Sequence, residues 1–220
     1  VTFGVSVTLP VRDKNVGATQ SRVRIHNRDR VLAAVQDLEF GMVADASQSL
    51  RDTLGTVGLG GNGQFARLSA LIRLGADPWS KCLVEDLELG LRMHLDGIKL
   101  RYLPNASVTQ QGLVDAHRLV KQRTRWAQGN LQCARYLPKL MASRRISNAQ
   151  LGEMVHYLLA PWLNAAGAIA LVITWIAAAV TLVESPQDPF LVDTWAELGT
   201  AAAVWTGALF VPGLLWAVLH

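Results

Sequence analysis

No lysine or arginine follows Arg145. Residues 1–145 hold all 21 basic residues against 12 acids, a net +9. Residues 146–220 hold five acids and no base, a net −5. A basic head suits anionic partners: nucleotide, nucleic acid or lipid headgroups. Cysteine is scarce as well. Cys82 and Cys133 are far apart, with no CxxC pair and no Cys/His cluster, which argues against a zinc site or a disulfide framework. Reduced thiols in a cytosolic domain fit this usage. The histidines at 26, 94, 117, 156 and 220 show no ligand spacing. There is no signal peptide, internal repeat or low-complexity segment. The chain starts at Val1 and stops at His220 inside an apolar run, so a fragment of a longer protein is expected.

What the basic head lacks, the tail has in excess. From Ala160 to Val183 the chain runs without a charge, and again from Leu198 to Leu219. Each run is long enough for a helix across a hydrocarbon core, which takes about 20 residues. Trp162, Trp195 and Trp216 suit interfacial belts. Arg144 and Arg145 precede the first run and the acidic connection has no base, so the positive-inside rule puts the head in the cytoplasm. The expectation is an integral, multi-pass membrane protein.

The head reads as α/β. VGATQSRVRI (16–25) alternates as a strand, and residues 29–49 read as a helix burying Val31, Ala34, Val35 and Leu38. QFARLSALIRLG (64–75) reads as a short helix closed by Gly75. Leu83, Leu87, Leu91 and Leu95 recur along a helix ending at Gly97. IKLRYL (98–103) reads as a strand stopped by Pro104. Residues 117–140 read as one long helix with Leu119, Trp126 and Leu131 on its apolar side, able to lie in a membrane interface. The domains expected are 1–116, a cytoplasmic catalytic part; 117–145, an interfacial helix; and 146–220, two spans at about 160–183 and 198–219.

Three stretches could carry chemistry. GLGGNG (58–63) matches a dinucleotide fingerprint, with Glu85 at a fitting distance. The polar SLRDTLGTV before it is a poor buried strand, so a tight loop that lets a ligand approach the backbone, or a plain turn, fits better. Glu85 and Asp86 open a helix, where the dipole alone favours acids; one carboxylate could also serve as a general base. In QRTRW, two guanidinium forks suit diphosphate, and a tryptophan face can stack on a sugar or a base. The same residues could instead hold lipid phosphate at an interface.

Taken together, Glu85-Asp86, then Gln122-Arg123-Thr124-Arg125-Trp126 on an amphipathic helix, then apolar spans, resemble the membrane-bound family 2 glycosyltransferases, the group of cellulose and hyaluronan synthases. VGLGGNGQFAR (57–67) resembles that family's acceptor loop, with Asn62, Gly63 and Gln64 in its middle and Arg67 at its end. ATQSRVR resembles the segment that follows the family's DxD motif. The resemblance implies the C-terminal half of a GT-A-type domain, an interfacial helix and transmembrane helices. It implies inverting transfer from a nucleotide-diphosphate sugar to a glycan or lipid-linked acceptor, in polysaccharide synthesis. Asp86 would be the base; Arg125 with Arg123 would hold the departing diphosphate; Gln122 and Trp126 would shape the acceptor site. Glu85, Gly61, Asn62 and Gly63 would line the substrate. A divalent cation, Mg or Mn, is expected in the full-length protein, but residues 1–15 contain no DxD. The fragment alone is expected to be inactive. Two other classes remain: a membrane-anchored basic domain binding anionic lipid or nucleic acid, and a dinucleotide-dependent membrane oxidoreductase. In the glycosyltransferase reading nucleic acid is no partner.

Overall fold

The alternating run at 16–25 becomes β1 (Val16–Ile25), the middle strand of a sheet ordered β2-β1-β3. The computed structural model describes residues 13–184, 199–200 and 203–204. β2 (Gln64–Ala66) pairs antiparallel with β1, Gln20 opposite Gln64. β3 (Lys99–Gln110) pairs parallel with it, from Val16 opposite Lys99 to Ile25 opposite Gln110. Parallel pairing requires a long crossover. That crossover carries α1 (Val31–Leu38), a π-helical turn (Glu39–Ala44), α2 (Asp45–Leu54), α3 (Leu68–Arg73) and α4 (Glu85–Leu95). After β3 come α5 (Ala116–Cys133), a short 3-10 turn, α6 (Leu137–Ala142) and α7 (Asn148–Glu184). The head is thus a mixed α/β structure.

Two apolar clusters meet at α4. Leu89 and Met93 join Ala18, Val57, Leu59, Leu100 and Tyr102 over the sheet. Leu87 and Leu91 join Cys82, Cys133, Leu140, Met154 and Leu158 on the other side. A helix covered on both sides has little freedom to slide or rotate. Its buried Glu88 fixes it further, accepting hydrogen bonds from Ser80, from Arg135 at 2.5 Å and from Tyr136 at 2.6 Å. The sheet side is held by charge. Asp37 accepts from Arg24 at 3.0 and 2.8 Å and from the Ile25 N–H at 2.8 Å. The Arg24 bonds chiefly, with the Ile25 N–H and the Arg28 charge behind them, overcome burial and hold its carboxyl at about 2.

Four expectations from the sequence need correction. The helix at 29–49 is three pieces, and it buries Ala33, Gln36 and Asp37 while Val31, Val35 and Leu38 face outward. Gln36 and Asp37 turn inward because Leu113 and Arg24 offer them hydrogen bonds there. Residues 64–66 are a strand rather than helix, because β1 supplies a free edge. Pro104 does not end its strand. The register with β1 jumps from Leu103 to Ser107, so the proline, which lacks an N–H, sits in the irregularity and pairing resumes to Gln110. The helix expected over 117–140 breaks after Cys133, ahead of Pro138 in the first turn of α6, and Leu131 points outward.

The chain divides into two compact units, Val1–Leu159 and Ala160–His220. In the first, the start of α7 is tied down by Arg51, which is buried, stacks 4.0 Å over Tyr157 and lies 3.0 Å from Glu153. In the second, α7 exposes Leu163, Ile169, Val172, Ile173 and Ile176. α7 is long and apolar enough to cross a membrane. The second expected span, 198–219, lies almost wholly outside the described residues.

His94 gives the head an acid sensitivity. Its Nε2–H donates 2.8 Å to the Val57 carbonyl. Burial, helped by the Arg51 charge and opposed by that hydrogen bond, holds its pKa down at about 4 against an ordinary 6.5. The unfolded chain therefore binds the proton first as pH falls below 6.5, so stability is full above that value and is lost on the way down to 4. Unfolding followed by circular dichroism should show a loss of about 2 kcal/mol between pH 7 and pH 5. His94→Gln, which keeps a donor but cannot take the proton, should flatten that slope. The Asp37 contribution is lost only below its unfolded value of 3.8, towards about 2.

Candidate active site

Glu85 and Asp86 form the first turn of α4. Asp86 is half-buried, and its Oδ1 accepts the Leu87 N–H at 2.7 Å. Over it lies the glycine loop. Gly61 has φ +75°, and a Cβ there would stand 2.9 Å from Asp86 Oδ2. The loop is clamped by Gln20 of β1: its Oε1 accepts the Gly60 N–H at 2.8 Å, and its Nε2 donates to the Asn62 carbonyl at 2.7 Å. Gly63, at φ +73°, presses on Val108 and Ser21, and its carbonyl accepts the Ser21 N–H at 2.8 Å. Asn62 is exposed and donates from Nδ2 to Gln110. Arg67 reaches back to the Val16 carbonyl at 3.1 Å, steadying the start of β1.

α5 meets the same place from the other side. A Cβ on Gly129 would lie 2.7 and 2.8 Å from the Val84 methyls and 3.0 Å from its nitrogen. Next to this contact, Gln132 accepts the Leu83 N–H at 3.0 Å, and the Cys82 and Cys133 sulfurs are 3.9 Å apart. Both thiols are free and buried. One helical turn before Gly129 stand Arg125 and Trp126, on the stripe that faces α4. Trp126 is half-buried, edge-on to Phe40 at 6.2 Å. Arg123 lies 4.3 Å over the indole and pairs with Glu39 at 2.5 Å. Gln122 is half-buried one turn earlier.

Burial raises the Asp86 pKa above the ordinary carboxylate value, and the negative charge of Glu85 adds to the rise. The Leu87 N–H and the Arg125 guanidinium pull the other way. The Arg125 influence is the smallest of these, and its own side chain is exposed. The arrangement offers a carboxylate made more basic by its surroundings, under a loop with bare backbone and within the field of an exposed cation.

Among the residues predicted from sequence, Gly61 lies against Asp86, beside Glu85, and the Arg125 charge acts on that carboxylate, whereas Trp126 packs with Phe40 and Arg123, and Asn62 and Gly63 pack with Gln110, Ser21 and Val108. Arg123 is engaged with Glu39 and Trp126 rather than open to ligand. The dinucleotide reading of GLGGNG fails on context: the loop joins helix α2 to strand β2, not a strand to a helix N-terminus. Sequence reasoning missed Gln20, Glu39, Phe40, Glu88 and Gly129. A glutamine within a strand and a glycine within a helix were the signals available for two of them. Glu39 and Phe40 gave none, since a π turn cannot be read from periodicity.

A family model described as "Glycosyltransferase like family 2" matches residues 2–129. The chain belongs to glycosyltransferase family 2. A β-monoglucosyldiacylglycerol synthase of Trichormus variabilis is 34% identical over 172 residues, covering 74% of this chain and 35% of that protein. The corresponding protein of Synechocystis is 40% identical over 123 residues, 55% of this chain and 25% of its own length. A poly-β-1,6-N-acetyl-D-glucosamine synthase of Staphylococcus aureus is 29% identical over 123 residues, 53% of this chain and 28% of its own. The chain spans about a third of the length of the curated relatives it matches. Both motifs of the candidate site, ED and QRTRW, fall within the part matched by the family 2 model.

The Gly129 contact can be tested without turnover. Alanine would gain about 1 kcal/mol of helix propensity at this position. The overlap with Val84 outweighs that, as overpacking typically costs 1–3 kcal/mol. Gly129→Ala should lower the thermal midpoint in detergent, whereas Gly152→Ala, where nothing lies within 4 Å of the added methyl, should not.

Proposed function

We propose that this protein moves a sugar from a nucleotide-diphosphate donor to a glycan or lipid-linked acceptor, with inversion, at the inner face of a membrane. The observation that supports the reading is a half-buried Asp86 under the Gly61 backbone, on which the Arg125 charge acts. Asp86 removes the proton of the acceptor hydroxyl. The freed oxygen attacks the anomeric carbon opposite the nucleotide, and the bond from that carbon to the diphosphate oxygen breaks. Negative charge gathers on the departing diphosphate, where Arg125 stabilises it. Arg123 covers one face of Trp126 and holds the ring still, so an acceptor sugar stacks on the other. Gln122 and Glu85 border that sugar. The glycines at 61 and 63 let the acceptor chain approach the loop backbone around Asn62.

The longer match, to a protein whose name says that it makes a glucosyl diacylglycerol, favours a lipid acceptor. The match to a poly-N-acetylglucosamine synthase keeps polysaccharide synthesis as the second reading. A divalent cation on the donor diphosphate suits the chemistry. The described residues hold no group of three His, Cys, Asp or Glu that could bind one, so no step is routed through it. Membrane attachment through α7 and a further span, with the head on the cytoplasmic side, belongs to the same proposal.

The test is transfer of labelled sugar by the full-length protein in membranes. Asp86→Asn should lower the rate by about 10²–10⁴ while donor binding holds. Near wild-type transfer in that variant would remove Asp86 from the role of base. Arg125→Ala should cost about 10²–10³ in kcat with little change in the thermal midpoint. Arg123→Ala should act mainly on the acceptor KM, since it frees the indole.

A further inference from the structure

α1 and the π turn that continues it are built inside out. Toward the domain they present Ala33, fully buried, whose Cβ stands 2.9 Å from where one on Gly112 would be. Beside it Gln36 donates to the Leu113 carbonyl at 2.7 Å and accepts its N–H at 3.1 Å. Asp37 takes Arg24, and further along Glu39 and Phe40 hold Arg123 and Trp126. Outward stand Val31, Val35, Leu38 and Val43, exposed by 83, 55, 57 and 67%. An α-helix would bring Met42 onto this stripe after Leu38; the wider π turn brings Val43 instead. Val114, next to Leu113, and Val120 on α5 are exposed as well. A polar inward face and an apolar outward one is the reverse of what a helix at a water surface shows.

The charges around the stripe say what covers it. Arg28, paired with Asp37 at 3.5 Å, and Arg30, loosely paired with Asp29 at 3.9 Å, keep exposed guanidinium groups on the approach to α1, and Arg118 and Lys121 stand exposed beside Val120. Apolar side chains rimmed by arginine and lysine are the pattern of a helix lying in a bilayer interface with anionic headgroups. We infer that the outward face of α1 and its π turn is a docking surface for an anionic lipid bilayer. The inner face of the same turn holds Trp126, so the bilayer lies about one helix diameter, some 10 Å, from the indole. This goes beyond the sugar-transfer reading and is measured without turnover.

The experiment places an environment-sensitive fluorophore on Val35→Cys in the full-length protein, reconstituted in liposomes with and without anionic lipid. Cys82 and Cys133 are buried, so the new thiol labels selectively. Doxyl groups on the acyl chains should quench the probe, and aqueous iodide should not. Arg28→Gln with Arg30→Gln should lower the docking equilibrium constant by about fivefold per charge lost, and removing anionic lipid should lower it too. Quenching by iodide alone would leave the face in water and overturn the proposal. Quenching by neither would mean that protein covers it, another segment or a second copy, and would overturn it equally. Sugar transfer enters neither readout, so Asp86→Asn can fail or succeed independently.

Discussion

The missing side chain at Gly129 sets the distance between the two halves of the site. Because α5 can close onto the Val84 backbone, the helix that carries Arg125 and Trp126 reaches the turn that carries Glu85 and Asp86. Each of the other supports acts on one side of that contact. The two apolar clusters immobilise α4, and buried Glu88 ties it to Arg135 and Tyr136 just beyond α5. The Cys82–Cys133 pair fills the space below Gly129 with small, soft side chains, which keeps the approach close.

The glycine loop is positioned by a different device. Gln20 sits in the central strand and is buried, an unfavourable place for an amide unless its donors and acceptors are used. Bonds to the Gly60 N–H and the Asn62 carbonyl use one of each. The sheet thereby fixes a loop that has few side chains of its own, and Asp86 gains a roof of backbone. Burial under that roof raises the affinity of Asp86 for a proton, while the Arg125 charge limits the rise. The Leu87 N–H opposes the rise more than that charge does.

Much of this was legible in the residues. The strand at 16–25, the leucine-spaced helix ending at Gly97 and the helix beginning near 117 were legible from periodicity, although β1 begins buried at successive residues and α4 is covered on both sides. ED and QRTRW, each open to a plainer reading by itself, were legible as a site through the resemblance of their combination to the family 2 glycosyltransferases. What misled was the assumption that apolar means inward. Val31, Val35 and Leu38 look like a core stripe, yet the inner positions went to Gln36 and Asp37, whose partners Leu113 and Arg24 lie far away in sequence or across a turn. Pro104 looked like a stop because its neighbours across the sheet, which open the register around it, are not adjacent in the chain.

The sequence alone determined the α/β character of the head, the charge contrast between head and tail and the residue types available for sugar transfer, since these depend on composition and local spacing. Only the tertiary structure decided that Arg123 is taken up by Glu39 and Trp126 while Arg125 stays exposed, and that Gly61 lies over the Asp86 carboxylate. Those facts rest on contacts between segments 25 to 84 residues apart, and no local pattern encodes where the chain will bring such segments together.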